Sequence, residues 1–407
     1  MAIALEQEGQ LISHPSYERG DDFADEINTS FGLDTTGARV HLAWEPESRS
    51  LFACYVVGTG IRVQKSVDRG RTWTFANTVM PPLMADGGIG ELYRDCDIAP
   101  WKNGGAVMVT AEQELLKIRE LDATLNVVMQ GPAFTSVPPP MLPDGGIGGG
   151  GITNPAHPAI ATLPAMNLTH ITFTGTRFLN MGSSDSEPYG VVRNGATAAF
   201  GMPSAMTSSV LLSALPEDYT AVAIHPKTGR AIGAFTSVVQ QGANTFSTVY
   251  VSLYFESPMF TGWTSASHLN VLVADTNTTV LFPQKGLSDV WAAYSPALAP
   301  LPRTNLFALT FVTGPRDTTG IGQYKQYLIP FDLDRVPDIT AGRGWFVPPV
   351  QKVSDVRVLD PRGALSAPQP TVTALAGDSQ ISVYGVFIEG AGVAGDVEAP
   401  AKFFHWP

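Results

Sequence analysis

"SVDRGRTW", Ser66–Trp73, follows directly on the alternating run "GIRVQ", and its reading decides how the rest of the chain is understood. A strand that ends in a Gly-containing polar cluster and resumes with Thr-Trp-Thr-Phe is a hairpin signal. Each residue of the cluster has a physical task. Ser66 and Asp68 can accept hydrogen bonds from turn amides, and Gly70 can take a positive φ. Thr72 opens the returning strand. Trp73 covers the hairpin end while its indole N–H stays within reach of a partner.

Working outward, strand–turn–strand units recur along the chain. They read "VHLAWEPESRSLFACYVV" from Val40, "CDIAPWKNGGAVMVTAEQ" from Cys96 and "AHPAIATLPAMNLTHITFTG" from Ala156. They continue as "YTAVAIHPKTGRAIGAFTS" from Tyr219, "VWAAYSPALAPLPRTNLFALTFVT" from Val290 and "PTVTALAGDSQISVYGVFIEG" from Pro370. Each holds two apolar segments around a polar or Gly/Pro turn. Strands buried on both faces read as near-continuous apolar runs, as "LFACYVV" and "AVAI" do. The 40 Gly and 32 Pro, with only 15% charged residues, favour short strands and tight turns over long helices.

The Ser66–Trp73 stretch matches S-x-D-x-G-x-T-W and resembles the Asp-box (BNR) repeats of sialidase-like β-propellers. The resemblance implies an all-β, six-bladed β-propeller, or seven blades if two units have been merged, with the box on the outer rim away from any substrate. The domain expectation is an N-terminal segment over 1–36, able to close the ring with the C-terminal "KFFHWP", and a propeller over 37–407. An array of two-sheet sandwiches is the competing architecture. "SPMFTGWTS" from Ser257 is a degenerate echo of the box. Enzymes of the family hold the substrate carboxylate with three arginines, and use a Tyr–Glu nucleophile pair, an Asp acid/base and an Arg-Ile-Pro signature. No Arg-Ile-Pro occurs here, and Arg19 and Arg39 stand outside any recognisable motif. The catalytic set is not carried over, and no catalytic residue is assigned.

A sharper repeat lies in the connections. "PPLMADGGIG" from Pro81 returns as "PPMLPDGGIG" from Pro139. Both segments lead into the first strand of the next unit, which predicts that Asp86 and Asp144 share the face opposite the Ser66–Trp73 turn. Their glycines can bring backbone N–H groups close to a ligand, with the two carboxylates accepting from hydroxyls. The alternative is that Asp caps a turn and Ile89 and Ile147 plug the core. Arg94, Asp95 and Asp97 of "RDCD" follow the first loop, and Asn154 and His157 of "NPAHPA" follow the second. Carboxylates beside an arginine suit acid–base work or sugar binding, and equally an ion-paired strand end. Together Asp86, Asp144, Arg94, Asp95, Asp97, Asn154 and His157 form the expected ligand-binding set.

A net charge of −12 offers no basic patch for phosphates and argues against nucleic acid and acidic membrane surfaces as partners. The seven histidines lack zinc-type spacing, so no metal and no cofactor is expected. Cys54 and Cys96 read as reduced core thiols. The N-terminus has no basic leader region and the chain no run long enough to span a bilayer, which leaves the location open between a cytoplasmic or particle-associated protein and one exported by another route, without membrane insertion. Three functional readings stay open. The first is a non-catalytic propeller binding a glycan or protein partner through one face. The second is a sialidase-like glycoside hydrolase. The third is a structural propeller in a virion, tail or injection device. Fold alone does not choose among them.

Overall fold

The computed structural model describes residues 2–7, 10–15, 27–28, 40–45, 47–57, 60–75, 93–138, 150–178, 184–195, 199–206, 220–241, 244–257, 260–263, 269–270, 291–301, 306–315, 323–332, 351–357, 371–376, 381–388 and 401–406. Their regular structure is antiparallel strand, interrupted by two 3-10 turns at Lys102–Gly104 and Pro164–Met166. Among the described residues no helix is long and apolar enough to cross a membrane. The chain divides into two compact units, one of Met1–Ser184 with Val191–Pro203, the other of Asp185–Gly190 with Ser204–Pro407.

In the first unit β1 (Ala2–Gln7), β2 (Gln10–Pro15) and β3 (Ile27–Asn28) form a three-stranded sheet. The first four-stranded sheet follows as β4 (His41–Glu45), β5 (Ser50–Val57), β6 (Gly60–Ser66) and β7 (Thr74–Phe75). The second is β8 (Tyr93–Pro100), β9 (Ala106–Glu112), β10 (Leu115–Leu121) and β11 (Val127–Thr135). A third sheet is β12 (Gly150–Leu163), β13 (Leu168–Phe178), β14 (Ser184–Asn194) and β15 (Ser204–Ala205), of which Asp185–Gly190 of β14 and all of β15 belong to the second unit. Each sheet keeps chain order from first strand to last. This is the up-and-down arrangement of a propeller blade.

The second unit repeats the scheme. β16 (Thr220–Ile224), β17 (Ala231–Gln241), β18 (Asn244–Ser257) and β19 (Phe260–Trp263) form a sheet in which β20 (Leu269–Asn270) also pairs with β18. β21 (Trp291–Pro300), β22 (Leu306–Pro315), β23 (Gln323–Asp332) and β24 (Gln351–Arg357) form a further four-stranded sheet. β25 (Thr371–Ala376), β26 (Ile381–Ile388) and β27 (Ala401–Trp406) form a three-stranded one. Four sheets of the described residues are thus complete four-stranded blades. The aromatic C-terminal strand β27 pairs with β26, from Val383↔Trp406 to Ile388↔Ala401. The sheets open at Tyr93 and Gly150 where the sequence units were drawn from Cys96 and Ala156, because first strands begin several residues before their apolar runs.

The first sheet is buried on both faces, which explains its unbroken apolar run. Phe52, Cys54 and Val63 on one face meet Cys96, Ile98 and Met108 of the second sheet. Leu51 and Ala53, one residue out of step, join Trp73 on the other face, with Val40, Leu42 and Trp44 against them. Lys65 reinforces the junction. Its buried ammonium donates to the carbonyls of Ala123 at 2.8 Å and Gly104 at 3.3 Å, between strands of the second sheet. Burial lowers the Lys65 pKa, opposed by Glu45 and Asp122.

The Ser66–Trp73 turn is tied as its residues suggest. Ser66 Oγ donates to Asp68 Oδ1 at 2.8 Å and accepts from the Gly70 amide at 2.7 Å. Asp68 accepts from the Thr72 amide at 2.8 Å and from its hydroxyl at 2.7 Å. Gly70 takes φ +94° and Arg69 φ +62°, and Trp73 Nε1 donates to the Gly70 carbonyl at 3.2 Å. The echo at Ser257 buries a tryptophan as well. Trp263 lies in a notch made by two glycines of the second unit: a Cβ on Gly190 would stand 1.9 Å from its Nε1, and one on Gly233 3.1 Å from its ring.

Candidate functional site

β4, β8 and β12, the first strands of three consecutive sheets, carry the polar cluster: His41 opens β4, Asp95 and Asp97 lie within β8, and His157 lies midway along β12. These strands pack side by side in the first unit. In the first sheet His41 pairs with Cys54, whereas Ser66 pairs with Leu51 near the other end of β5. The start of β4 therefore lies at the end of the sheet opposite the Ser66–Trp73 turn. His41, absent from the sequence-derived set, is central to the cluster.

His41 Nδ1 lies 3.0 Å from Asp97 Oδ1, and its Nε2 lies 3.8 Å from Asp95 Oδ1. His157 Nδ1 lies 3.4 Å from Asp95 Oδ2. Two imidazoles from neighbouring strands thus flank the two carboxylates. The carboxylates are also held by main chain. Asp95 Oδ1 accepts from the Cys96 amide at 2.8 Å. Asp97 accepts from the Ile98 amide through Oδ1 and from the Ile160 amide of β12 through Oδ2, each at 2.8 Å. A further tie, Thr162 Oγ1 to the Pro100 carbonyl at 2.5 Å, joins β12 to β8. The aspartates are structural anchors as well as polar groups. Of the four side chains His157 is the most open, at 33% exposed against 20% for His41, 16% for Asp97 and 8% for Asp95.

β12 reaches this position by irregular backbone. Its register against β13 shifts between Gly150 and Ile152, Thr153 and Ala156, and Ala156 and Ala159. Gly151, Asn154 and His157 take positive φ of 80°, 49° and 48°. Bulges re-aim side chains, and left-handed non-Gly residues persist only where the surroundings hold them. Here they put the Asn154 side chain in solvent, where its Nδ2 reaches Thr153 Oγ1 at 3.4 Å, and bring His157 to Asp95.

Of the expected set, the structure brings together Asp95, Asp97 and His157, with Asn154 in the adjacent bulge of the same strand. Arg94 occupies the register shift between Tyr93 and Asp95 in β8, and its side chain lies outside the described residues. Asp86, Asp144 and both Asp-Gly-Gly-Ile-Gly loops also lie outside them. His41 opens β4, and nothing in its neighbouring residues signals the carboxylates of β8. Among the described residues no group of three or more His, Cys, Asp or Glu has metal-holding geometry.

A Tyr–Glu hydrogen bond does exist, from Tyr189 Oη to Glu187 Oε2 at 3.2 Å. Both residues are buried in β14, the third strand of its sheet, and neither is open to a substrate.

No family model and no curated protein sequence matches the chain. Among solved structures it is similar to the NanB sialidase from Streptococcus pneumoniae, at TM-score 0.48 and 8% identity over 76% of this chain. It spans 62% of the length of that sialidase chain. It is also similar to a protein of unknown function from Dyadobacter fermentans, at TM-score 0.46 and 12% identity, covering 90% of this chain and 94% of that one. An exo-β-1,3-galactanase from Clostridium thermocellum is similar at TM-score 0.36 and 8% identity, over 81% of this chain and 77% of that one.

Proposed function

We propose that this protein is a non-catalytic β-propeller that binds a glycan through the surface around His41, Asp95, Asp97, Asn154 and His157. One observation carries the reading. The two carboxylates are each engaged by main-chain amides and imidazoles, while the imidazole of His157 and the carboxamide of Asn154 meet solvent. Glycoside hydrolysis needs one carboxyl free to donate a proton and another free to attack or to activate water. Carboxylates fixed by several N–H donors suit neither task. Planar donors and acceptors at fixed positions suit sugar hydroxyls.

On this reading the Ser66–Trp73 turn is an Asp-box on the outer rim, and the six sheets from β4 to β27 are six blades. The N-terminal segment closes the ring. Asp86 and Asp144 share the face of the cluster and add two hydroxyl acceptors to it.

A glycan array beside fluorogenic glycosides, a sialoside among them, tests the proposal. Binding without turnover is the expected result. His157→Ala and Asn154→Ala should each weaken binding at least tenfold at unchanged melting temperature. Turnover that scales with protein and disappears in Asp95→Asn would sink the non-catalytic reading. Silence on both arms would sink the glycan itself, and leave a protein partner or a structural role in an assembly.

A further inference from the structure

The chain has two cysteines, and they stand on neighbouring sheets, Cys54 in β5 and Cys96 in β8. Both are free thiols and neither exposes any surface. They belong to one apolar cluster, with Phe52, Val63, Ile98 and Met108 around them. β5 packs against β8, and the Cys96 side chain is among the groups that act on the Cys54 thiol. Residues this far apart in sequence meet only through the packing of the first sheet on the second. We propose that Cys54 and Cys96 form a covalent cross-linking site: in an oxidising solution they join as a disulfide that staples the first sheet to the second.

The chemistry balances with a small-molecule disulfide, such as oxidised glutathione, as oxidant. One cysteine, as thiolate, attacks a glutathione sulfur, expels one glutathione thiolate and leaves a mixed disulfide. The second cysteine loses its proton to solvent and attacks the protein sulfur of that adduct, expelling the second glutathione. Two protein thiols are oxidised and one glutathione disulfide is reduced to two glutathiones. Burial first, and then the neighbouring Cys96, hold the Cys54 thiol well above its ordinary range, so thiolate is scarce in the closed fold. Oxidation therefore proceeds while the chain folds or through local opening. The staple also bears on the site above it. Cys54 is the cross-strand partner of His41, and Cys96 stands between Asp95 and Asp97, so the bond ties β8, which carries the two aspartates, to β5, the pairing partner of the His41 strand.

The test uses the full chain refolded from denaturant in a reduced/oxidised glutathione buffer. Free thiols are counted in denaturant, and the digest is mapped by mass spectrometry. The expected result is loss of both thiols, a linked Cys54–Cys96 peptide, and a melting temperature above that of the same sample treated with dithiothreitol. The rise follows from closing a loop of about 40 residues in the unfolded chain, and it should be absent in Cys54→Ala and Cys96→Ala. Where refolding yields are low, native protein equilibrated with oxidised glutathione in sub-denaturing urea gives the same two readouts. Two persisting thiols at equilibrium overturn the proposal. So do glutathione adducts or chain-to-chain dimers in place of the linked peptide.

Discussion

His170, in β13, has no exposed surface, and complete burial holds its imidazole down at about 3. The unfolded chain takes up that proton near 6.5, so the unfolded state binds more protons throughout the interval between the two values. The contribution of neutral His170 to stability is whole above about 6.5 and is lost progressively as pH falls toward about 3. Between pH 7 and pH 5 the wild type should lose about 2 kcal/mol relative to His170→Gln. Urea unfolding of both proteins at the two pH values measures this, and equal losses would show that His170 titrates normally. Asp68 has the same sign with a different cause. Partial burial raises its pKa, but hydrogen bonds from the Thr72 amide and hydroxyl, from Ser66 and from the Arg71 amide outweigh it, and the carboxyl titrates below its usual range. Its contribution is present above the ordinary carboxylate range and disappears as pH falls through the lowered value. Asp68→Ala should cost about 1–2 kcal/mol at pH 7, and the difference from wild type should close in strong acid.

At the scale of elements, two tryptophans are buried by different means. Trp73 is 7% exposed, covers one face of the first sheet and sits at the end away from the polar cluster. Trp73→Ala should therefore cost roughly 3–5 kcal/mol and leave ligand affinity unchanged in the folded fraction. Lost affinity at full thermal stability would contradict this placement. Trp263 instead fills a notch that exists because positions 190 and 233 have no Cβ. Gly190→Ala places a methyl where the indole stands and should destabilise by about 1–3 kcal/mol. Trp263→Phe removes the five-membered ring from that contact, so the double variant should be more stable than the sum of the single changes allows. Strict additivity in a denaturant-melt cycle would show that the two residues do not meet. The strand β12 makes the complementary point. Its periodicity reads as an ordinary first strand, yet three left-handed residues bend it so that His157 reaches Asp95.

For the whole molecule, Asp97 is where fold and site coincide, since one carboxylate holds His41, the Ile98 amide and the Ile160 amide across three first strands. Asp97→Ala should lower the melting temperature and weaken ligand binding together, and Asp97→Asn should keep part of both. A variant that loses only binding would show that the carboxylate is no anchor. The sequence by itself determined the all-β character, the strand–turn–strand units and the ties of the Ser66–Trp73 turn. These rest on alternation, on paired apolar runs and on hydrogen bonds spanning at most four residues, all local in the chain. It also marked Asp95, Asp97 and His157 by their place after the twin loops. Only the tertiary structure added His41, because a histidine at a strand start carries no local sign of the carboxylates it will meet from the next sheet. It likewise decided that Cys54 meets Cys96, that Trp263 rests on Gly190 and that Asp97 reaches Ile160. Each of these contacts joins residues distant in sequence, and such contacts are set by how the sheets stack and how β12 bulges, which no short-range pattern encodes.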